Sequence, residues 1–221
     1  WNEPFYESCD LIMNISKQTV NIVNNVRKDV PTNEWNNTYI PHGINHKNFY
    51  PITKKQKEWG DMINFKNVVT GGRKYDFIVF WNNRNIRRKL PGDVVMAFKT
   101  FCDMLPKDES KKCALVMHTQ PVDENGTDLP QVVNEMCPDY DVIFSNEKLD
   151  NNQMCWMYNM ADVTINIASN EGFGLGTCES LMCGTPIVVN VTGGLQDQCG
   201  FKKEDGSYLT VDDYNDDFQS N

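Results

Sequence analysis

The sequence is short of positive charge, short of histidine and free of long apolar runs, and each shortage removes a class of function. Lysine and arginine total 21 against 30 aspartate and glutamate, for a net charge of -9. A broad nucleic-acid surface needs clustered cations to meet phosphate, so no nucleic-acid partner is expected. No apolar stretch approaches the roughly 20 residues that span a bilayer, and no signal peptide is evident. There are 3 histidines and 8 cysteines, but no CxxC pair and no zinc-type spacing. Neither a metal site nor a disulfide framework is therefore expected. Cysteines inside apolar runs behave as small hydrophobes, which fits a reduced, cytoplasmic protein. Three short segments match the N-glycosylation pattern, at Asn14, Asn36 and Asn125, a pattern frequent by chance. The chain starts at Trp1 and not at methionine, from which a fragment is expected.

What remains is an ordinary globular composition, 40% hydrophobic and 23% charged. The 221 residues suffice for one domain and part of a second. Short strands are expected at 10–15 and 38–40, with a helix from Ser16 to about Lys28 carrying Val20, Val23 and Val26 at threefold spacing. Residues 44–74 are polar and mixed and read as a connector with one short helix. Strands are then expected at 77–81, 114–117, 142–144, 163–167 and 186–189, alternating with helices at 92–105, 129–136, 152–160 and 177–183. Near-continuous Val, Ile and Phe runs separated by helices predict a doubly wound, Rossmann-like α/β domain with a parallel sheet covered on both faces. Ligands of such sheets sit beyond the carboxyl ends of the strands. The acidic tail at Asp212, Asp213, Asp216 and Asp217 reads as solvated surface.

One strand end is unusual. Val163–Ile167 runs into Ala168-Ser169-Asn170-Glu171-Gly172-Phe173-Gly174-Leu175-Gly176-Thr177, with three glycines in five residues and a helix after them. Glycines let the backbone turn sharply and approach a ligand closely. A helix start presents unpaired N–H groups to an anion such as a diphosphate. Glu171 and Glu179 flank this turn and suit the vicinal hydroxyls of a sugar and a ribose better than acid/base work. A second cluster, Arg84, Arg87, Arg88 and Lys89, puts four cations in six residues after the strand 77–81 of an acidic protein. That pattern fits a local phosphate grip as well as a solvated charge run.

The longer string, Glu171-Gly-Phe-Gly-Leu through Glu179-Ser-Leu-Met-Cys-Gly-Thr-Pro-Ile-Val-Val and then Gly193-Gly194-Leu195, resembles the E-x7-E signature of glycosyltransferase family 4. These are retaining enzymes with the GT-B fold, and the resemblance covers roughly residues 9–200. It implies that residues 1–45 end an amino-terminal acceptor domain with its linker. Residues 46–221 would form the carboxyl-terminal donor-binding domain, truncated at its end.

By the same resemblance Glu171 contacts the donor sugar and Glu179 the ribose, while Gly172, Phe173, Gly174 and Leu175 offer backbone N–H groups. Gly193 and Gly194 form the family's Gly-Gly loop. Thr177 and Ser180 add hydroxyl contacts. Arg84 and Lys89 grip the diphosphate, with Arg88 competing for the lysine's place, and Asn83 stands where a glycine is usual. Ser145, Asn146 and Leu149 border the base, and the nearby Thr119-Gln120-Pro121 loop carries no assigned role. His42 reads as a loop histidine shaping the linker. Asp139-Tyr140-Asp141 imitates a metal-binding pattern of another glycosyltransferase fold, but it precedes a strand, at the wrong end for a ligand.

The implied activity is retaining transfer of a hexose from a UDP- or GDP-linked sugar to a sugar, glycan or lipid-linked acceptor. It needs no cofactor and no metal, because cations and a helix start can take the leaving group's charge. Alone, the chain is expected to bind donor and turn over slowly. The alternatives are a non-catalytic sugar-nucleotide-binding subunit, a nucleotide-sugar epimerase, or a phosphorylase-like enzyme of the same architecture.

Overall fold

A computed structural model describes residues 2–28 and 36–200. The acidic tail lies outside the described residues. The chain divides into two compact units, at 1–43 with 170–175 and 190–221, and at 44–169 with 176–189.

In the first unit, helix α1 (Glu3–Glu7) precedes strand β1 (Ile12–Asn14), helix α2 (Lys17–Val26) and strand β2 (Asn37–Tyr39). β1 and β2 pair in parallel, Ile12 opposite Asn37. Ser16 caps α2 as expected, its side chain accepting from the Thr19 amide at 3.2 Å. Asn14 is buried and donates to the Asn37 side chain at 2.6 Å. The Asn14 match to the glycosylation pattern is thus spent inside the unit. The helix Gly193–Cys199 also belongs here, and its Asp197 accepts from the Lys17 amide at 2.9 Å.

The second unit opens with helix α3 (Glu58–Val69). Strand β3 (Phe77–Asn82) follows, then a 3-10 turn (Arg87–Lys89), α4 (Pro91–Asp103), α5 (Lys107–Ser110) and β4 (Cys113–His118). It continues with α6 (Leu129–Met136), β5 (Asp141–Ser145), α7 (Asn151–Met160), β6 (Val163–Asn166), α8 (Leu175–Met182) and β7 (Ile187–Val189). The five strands form one sheet in the order β5-β4-β3-β6-β7, and every pairing is parallel. This is the doubly wound α/β sheet expected from the strand runs.

The period-2 pleat splits those runs between two cores. Ile78, Phe80, Ala114 and Val116 pack with Met62, Met157 and Tyr158 on one face. Val79, Trp81, Leu115 and Met117 pack with Val94, Val95, Phe98 and Leu129 on the other. The stretch read as a polar connector is more structured than expected: Phe49, Ile52 and Met62 are buried in the first of these cores. Its apolar residues are too sparse to show a period, so only packing reveals them.

The helix after the glycine turn starts at Leu175, two residues earlier than the sequence suggested. Glu179 is therefore the fifth helical residue and lies past the first turn.

Candidate donor-binding site

In the second unit the carboxyl ends of β3, β4 and β5 open onto a pocket of about 430 Å³. Asn82, Asn83 and Arg84 line it from the β3 end, and His118, Thr119 and Gln120 from the β4 end. Asp123 and the Asn146–Lys148 segment complete it. The location is the one a parallel sheet dictates, because strand ends leave unpaired backbone groups and diverging loops there.

Arg84 is exposed and grips Asp123 through two nitrogens, Nε to Oδ2 at 3.0 Å and Nη2 to Oδ1 at 3.3 Å. That guanidinium holds the Asp123 carboxyl below the usual carboxylate range. The loop bearing Asp123 is pinned by Asn85, which is fully buried. Asn85 donates to the carbonyls of Gln120, Pro121 and Thr127 and accepts from the Thr127 amide at 3.1 Å. Gly126 is the residue this permits: a Cβ there would fall 2.1 Å from the Asn85 carbonyl oxygen.

The remaining cations part company. Arg88 is exposed, and its carbonyl accepts from the Ser169 amide at 2.9 Å, tying the 3-10 turn to the end of β6. Lys89, expected to grip phosphate, is buried at 7% exposure.

Of the residues expected near a base, Ser145 pairs with His118, Oγ to Nδ1 at 3.1 Å. Burial holds the His118 imidazole below its ordinary pKa, which favours the neutral ring. Asn146 is exposed, whereas Leu149 turns in against the core shared by α3 and α7.

Glu179 is half-buried, and its Oε2 accepts from the Tyr158 hydroxyl at 2.8 Å. That hydroxyl accepts in turn from Asn82 Nδ2 at 2.8 Å. Burial raises the Glu179 pKa and the Tyr158 hydrogen bond opposes the rise. Tyr158 is fully buried between Phe49 and Phe80. Neither Tyr158 nor Asn82 stood out in the sequence, since both sit within regular elements and their hydrogen bonds span 21 and 76 residues.

Two hydroxyls expected to touch donor are turned inward. Ser180 is fully buried, its hydroxyl donating to the Thr185 carbonyl at 3.0 Å and paired with the Thr164 hydroxyl at 2.9 Å. Its role is to fasten α8 to β6. Thr177 is also buried, at 1% exposure.

In the first unit, Glu171 to Gly174 packs closely on the Gly193-Gly194 backbone and is bonded by the Gln198 side chain. The Gly194 amide donates to the Gly172 carbonyl at 3.0 Å. Gln198 Nε2 donates to the carbonyls of Phe173 and Gly174 at 2.6 and 3.1 Å. In a trans peptide the C=O and the next N–H point in opposite directions. The N–H groups of Phe173, Gly174 and Leu175 are therefore directed away from the helix Gly193–Cys199. His42 meets the Phe173 ring edge-on at 5.3 Å, a packing contact.

In the Asp139-Tyr140-Asp141 segment, Tyr140 and Asp141 are engaged elsewhere. Tyr140 donates to Asp103 at 2.7 Å, and Asp141 accepts from Arg73 at 2.6 Å and from Tyr75 at 2.9 Å. It stands at the amino end of β5, opposite the pocket, as the sequence indicated. All eight cysteines are free thiols. No helix among the described residues is long and apolar enough to cross a membrane.

Comparison with known proteins bears on both the segment and the fold. A family model for glycosyl transferases group 1 matches residues 141–217. A D-inositol 3-phosphate glycosyltransferase of Thermomonospora curvata is 51% identical over 39 residues, which are 18% of this chain and 9% of that protein. Sucrose-phosphate synthase from Thermosynechococcus elongatus shares the fold with a TM-score of 0.63 at 23% identity, over 89% of this chain and 44% of that one. Anabaena HepE, solved with UDP and glucose, superimposes with a TM-score of 0.62 at 14% identity, over 85% and 46%. The C-terminal domain of a group 1 family protein (LpcC) from Francisella tularensis gives 0.55 at 19% identity, over 76% and 80%. The chain thus spans less than half the length of the first two of these structures. Residues 141–217 thus resemble the group 1 glycosyl transferases, and the chain shares the parallel α/β fold of these glycosyltransferase structures.

Proposed function

We propose that this chain supplies the donor site of a retaining glycosyltransferase that moves a hexose from a UDP- or GDP-linked sugar to a saccharide or lipid-linked acceptor. The observation that carries this reading is the pairing of a polar pocket holding Arg84 with a half-buried Glu179 held by Tyr158 and Asn82. A carboxylate kept in one orientation suits the vicinal hydroxyls of a ribose, and an exposed guanidinium suits the oxygens of a diphosphate.

In the proposed reaction the bond from the anomeric carbon to the diphosphate oxygen breaks, and its electron pair leaves with the diphosphate. The acceptor hydroxyl bonds to that carbon, and its proton passes to the departing diphosphate oxygen. Negative charge grows on the leaving group, so Arg84 and the backbone N–H groups at the start of α8 act chiefly in the transition state. Glu171 orients the hexose through its hydroxyls. The N–H groups of Phe173, Gly174 and Leu175, directed away from the Gly-Gly helix, are the proposed backbone donors to sugar and phosphate. The reading assigns catalysis to these side chains and dipoles, with no metal and no cofactor. Placement in the cytoplasm belongs to the same reading and is supported by the eight free thiols.

Calorimetric titration of the wild type and Glu179→Ala with UDP, GDP, ADP and their sugars tests the proposal. Binding of one nucleoside diphosphate, weakened in the variant, is the expected result. Absence of binding by all of them overturns it.

A further inference from the structure

The hydrogen-bond chain from Asn82 through Tyr158 to Glu179 runs under the site and contacts no solvent at its centre. Tyr158 is fully buried, and its ring lies edge-on to Phe80 at 5.3 Å and to Phe49 at 6.1 Å. The ring cannot swing, so the hydroxyl occupies a fixed point. Glu179 reaches that point from α8 and Asn82 reaches it from the last residue of β3, each at 2.8 Å. Gly176 completes the arrangement: a Cβ there would stand 3.1 Å from the Tyr158 oxygen and 3.6 Å from the Asn82 carbonyl oxygen. The glycine thus lets the first turn of α8 close over the hydroxyl.

A hydroxyl offers one proton, and the geometry spends it on the carboxylate. Asn82 Nδ2 is an obligate donor to the hydroxyl oxygen, which leaves the Tyr158 proton for Glu179 Oε2. One carboxylate oxygen is then held in a known direction, and the other is turned by the planar group itself. A half-buried carboxylate without such a donor would sample rotamers and bear the full desolvation cost. Asn82 also lines the pocket that contains Arg84. One buried chain therefore joins the strand that presents the guanidinium to the helix that presents the carboxylate.

We infer that Tyr158 is a positioning residue: its hydroxyl, oriented by Asn82, fixes Glu179 to receive the ribose hydroxyls of the donor nucleotide. This rests on the donor-site reading above. Its effect is specific to ligands that carry ribose hydroxyls and passes through Glu179 alone.

The test is Tyr158→Phe, which keeps the buried ring and removes only the hydroxyl. UDP and 2′,3′-dideoxyuridine diphosphate are titrated into wild type, Tyr158→Phe, Glu179→Ala and the double variant. The expected result is UDP binding weakened about fivefold in Tyr158→Phe, the equivalent of one net hydrogen bond. Dideoxy-nucleotide binding should be unchanged, and Glu179→Ala should lose no further affinity when Tyr158→Phe is added. Equal weakening for both ligands, or no weakening for UDP, overturns the inference.

A second readout needs no nucleotide. Carbon-13 titration of the Glu179 carboxyl in the free protein should show it protonating at higher pH in Tyr158→Phe, because the donor that stabilises the carboxylate has gone. The titratable neighbours Cys178 and Cys183 are retained in both proteins. An unmoved Glu179 titration overturns the positioning role. Failure of UDP to bind the wild type overturns the donor-site reading instead.

Discussion

The nine residues from Glu171 to Glu179 are supported at their two ends by different chemistry. Glu171 to Gly174 is held by close main-chain packing and by the Gln198 amide on two of its carbonyls. A Cβ on Gly193 would fall 1.6 Å from the Glu171 carbonyl oxygen, and one on Gly194 would fall 2.5 Å from the Phe173 Cα. From Gly176 to Ser180 the segment is held by side chains, with Tyr158 on Glu179 and Thr164 on Ser180. Close main-chain packing demands the absence of atoms, and a side-chain hydrogen bond demands particular atoms. The first end should therefore break on any substitution that adds bulk, whereas the second should break only when a donor or acceptor is removed.

Gly194→Ala should be strongly destabilising. Its methyl would meet three backbone atoms within 2.8 Å, and backbone cannot rotate aside. Overpacking of this kind costs about 2–4 kcal/mol, and urea denaturation should show it. A loss below about 0.5 kcal/mol would show that the Gly-Gly contact is looser than described.

Arg84→Ala should act on binding and leave folding alone. Its pair with Asp123 is exposed on the arginine side, where such pairs contribute about 0–1 kcal/mol. A charge-assisted bond to diphosphate is worth about 1.5–3 kcal/mol, so UDP affinity should fall roughly 10- to 100-fold with little change in Tm. Calorimetry beside thermal melting separates the two effects.

Ser180→Ala is the converse. It removes a fully buried hydroxyl with two partners and should cost about 1–2 kcal/mol of stability without changing nucleotide affinity. A loss of affinity at unchanged stability would return Ser180 to the donor contacts that the sequence suggested.

Glu179→Gln sharpens the comparison through pH. Burial raises the Glu179 pKa in the folded protein, so its ionisation disfavours folding. Its favourable contribution is full below the unfolded pKa and is lost as pH rises through the higher folded value. Near neutral pH the glutamine variant should be the more stable, by less than about 1 kcal/mol because partial exposure screens the charge. That advantage should shrink on acidification, as stability measured against pH will show.

The smallest effect is expected at Gly176→Ala. Alanine gains up to about 1 kcal/mol of helix propensity over glycine, while its methyl presses the Tyr158 oxygen at 3.1 Å. Stability should stay within about 0.5 kcal/mol of wild type. A slight weakening of UDP but not of the dideoxy nucleotide would place the pressure on the Glu179 chain.

The legible parts of this protein are those with local causes. Buried parallel strands are continuous apolar runs, so Phe77–Asn82 and Cys113–His118 announced themselves. Ser16 could be read as a cap because its partner, Thr19, is three residues away. The clamp of Asn85 on the loop 120–127 escaped notice, since its partners lie 35 to 42 residues on. Lys89 resembled its charged neighbours in sequence, and the 3-10 turn buries it while leaving Arg87 and Arg88 exposed.

The sequence by itself determined the parallel α/β sheet, the end of that sheet where ligands gather, and the glycine turn flanked by Glu171 and Glu179. Periodicity and chain stiffness act over a few residues, and these features need nothing more. The tertiary structure decided which polar groups face that end. Glu179 is presented on Tyr158 and Asn82, and Arg84 on Asp123, while Ser180 and Thr177 are withdrawn into the interior. A hydroxyl or a carboxylate takes its role from the partner within about 3 Å of it, and in a parallel sheet that partner arrives from a distant strand or helix.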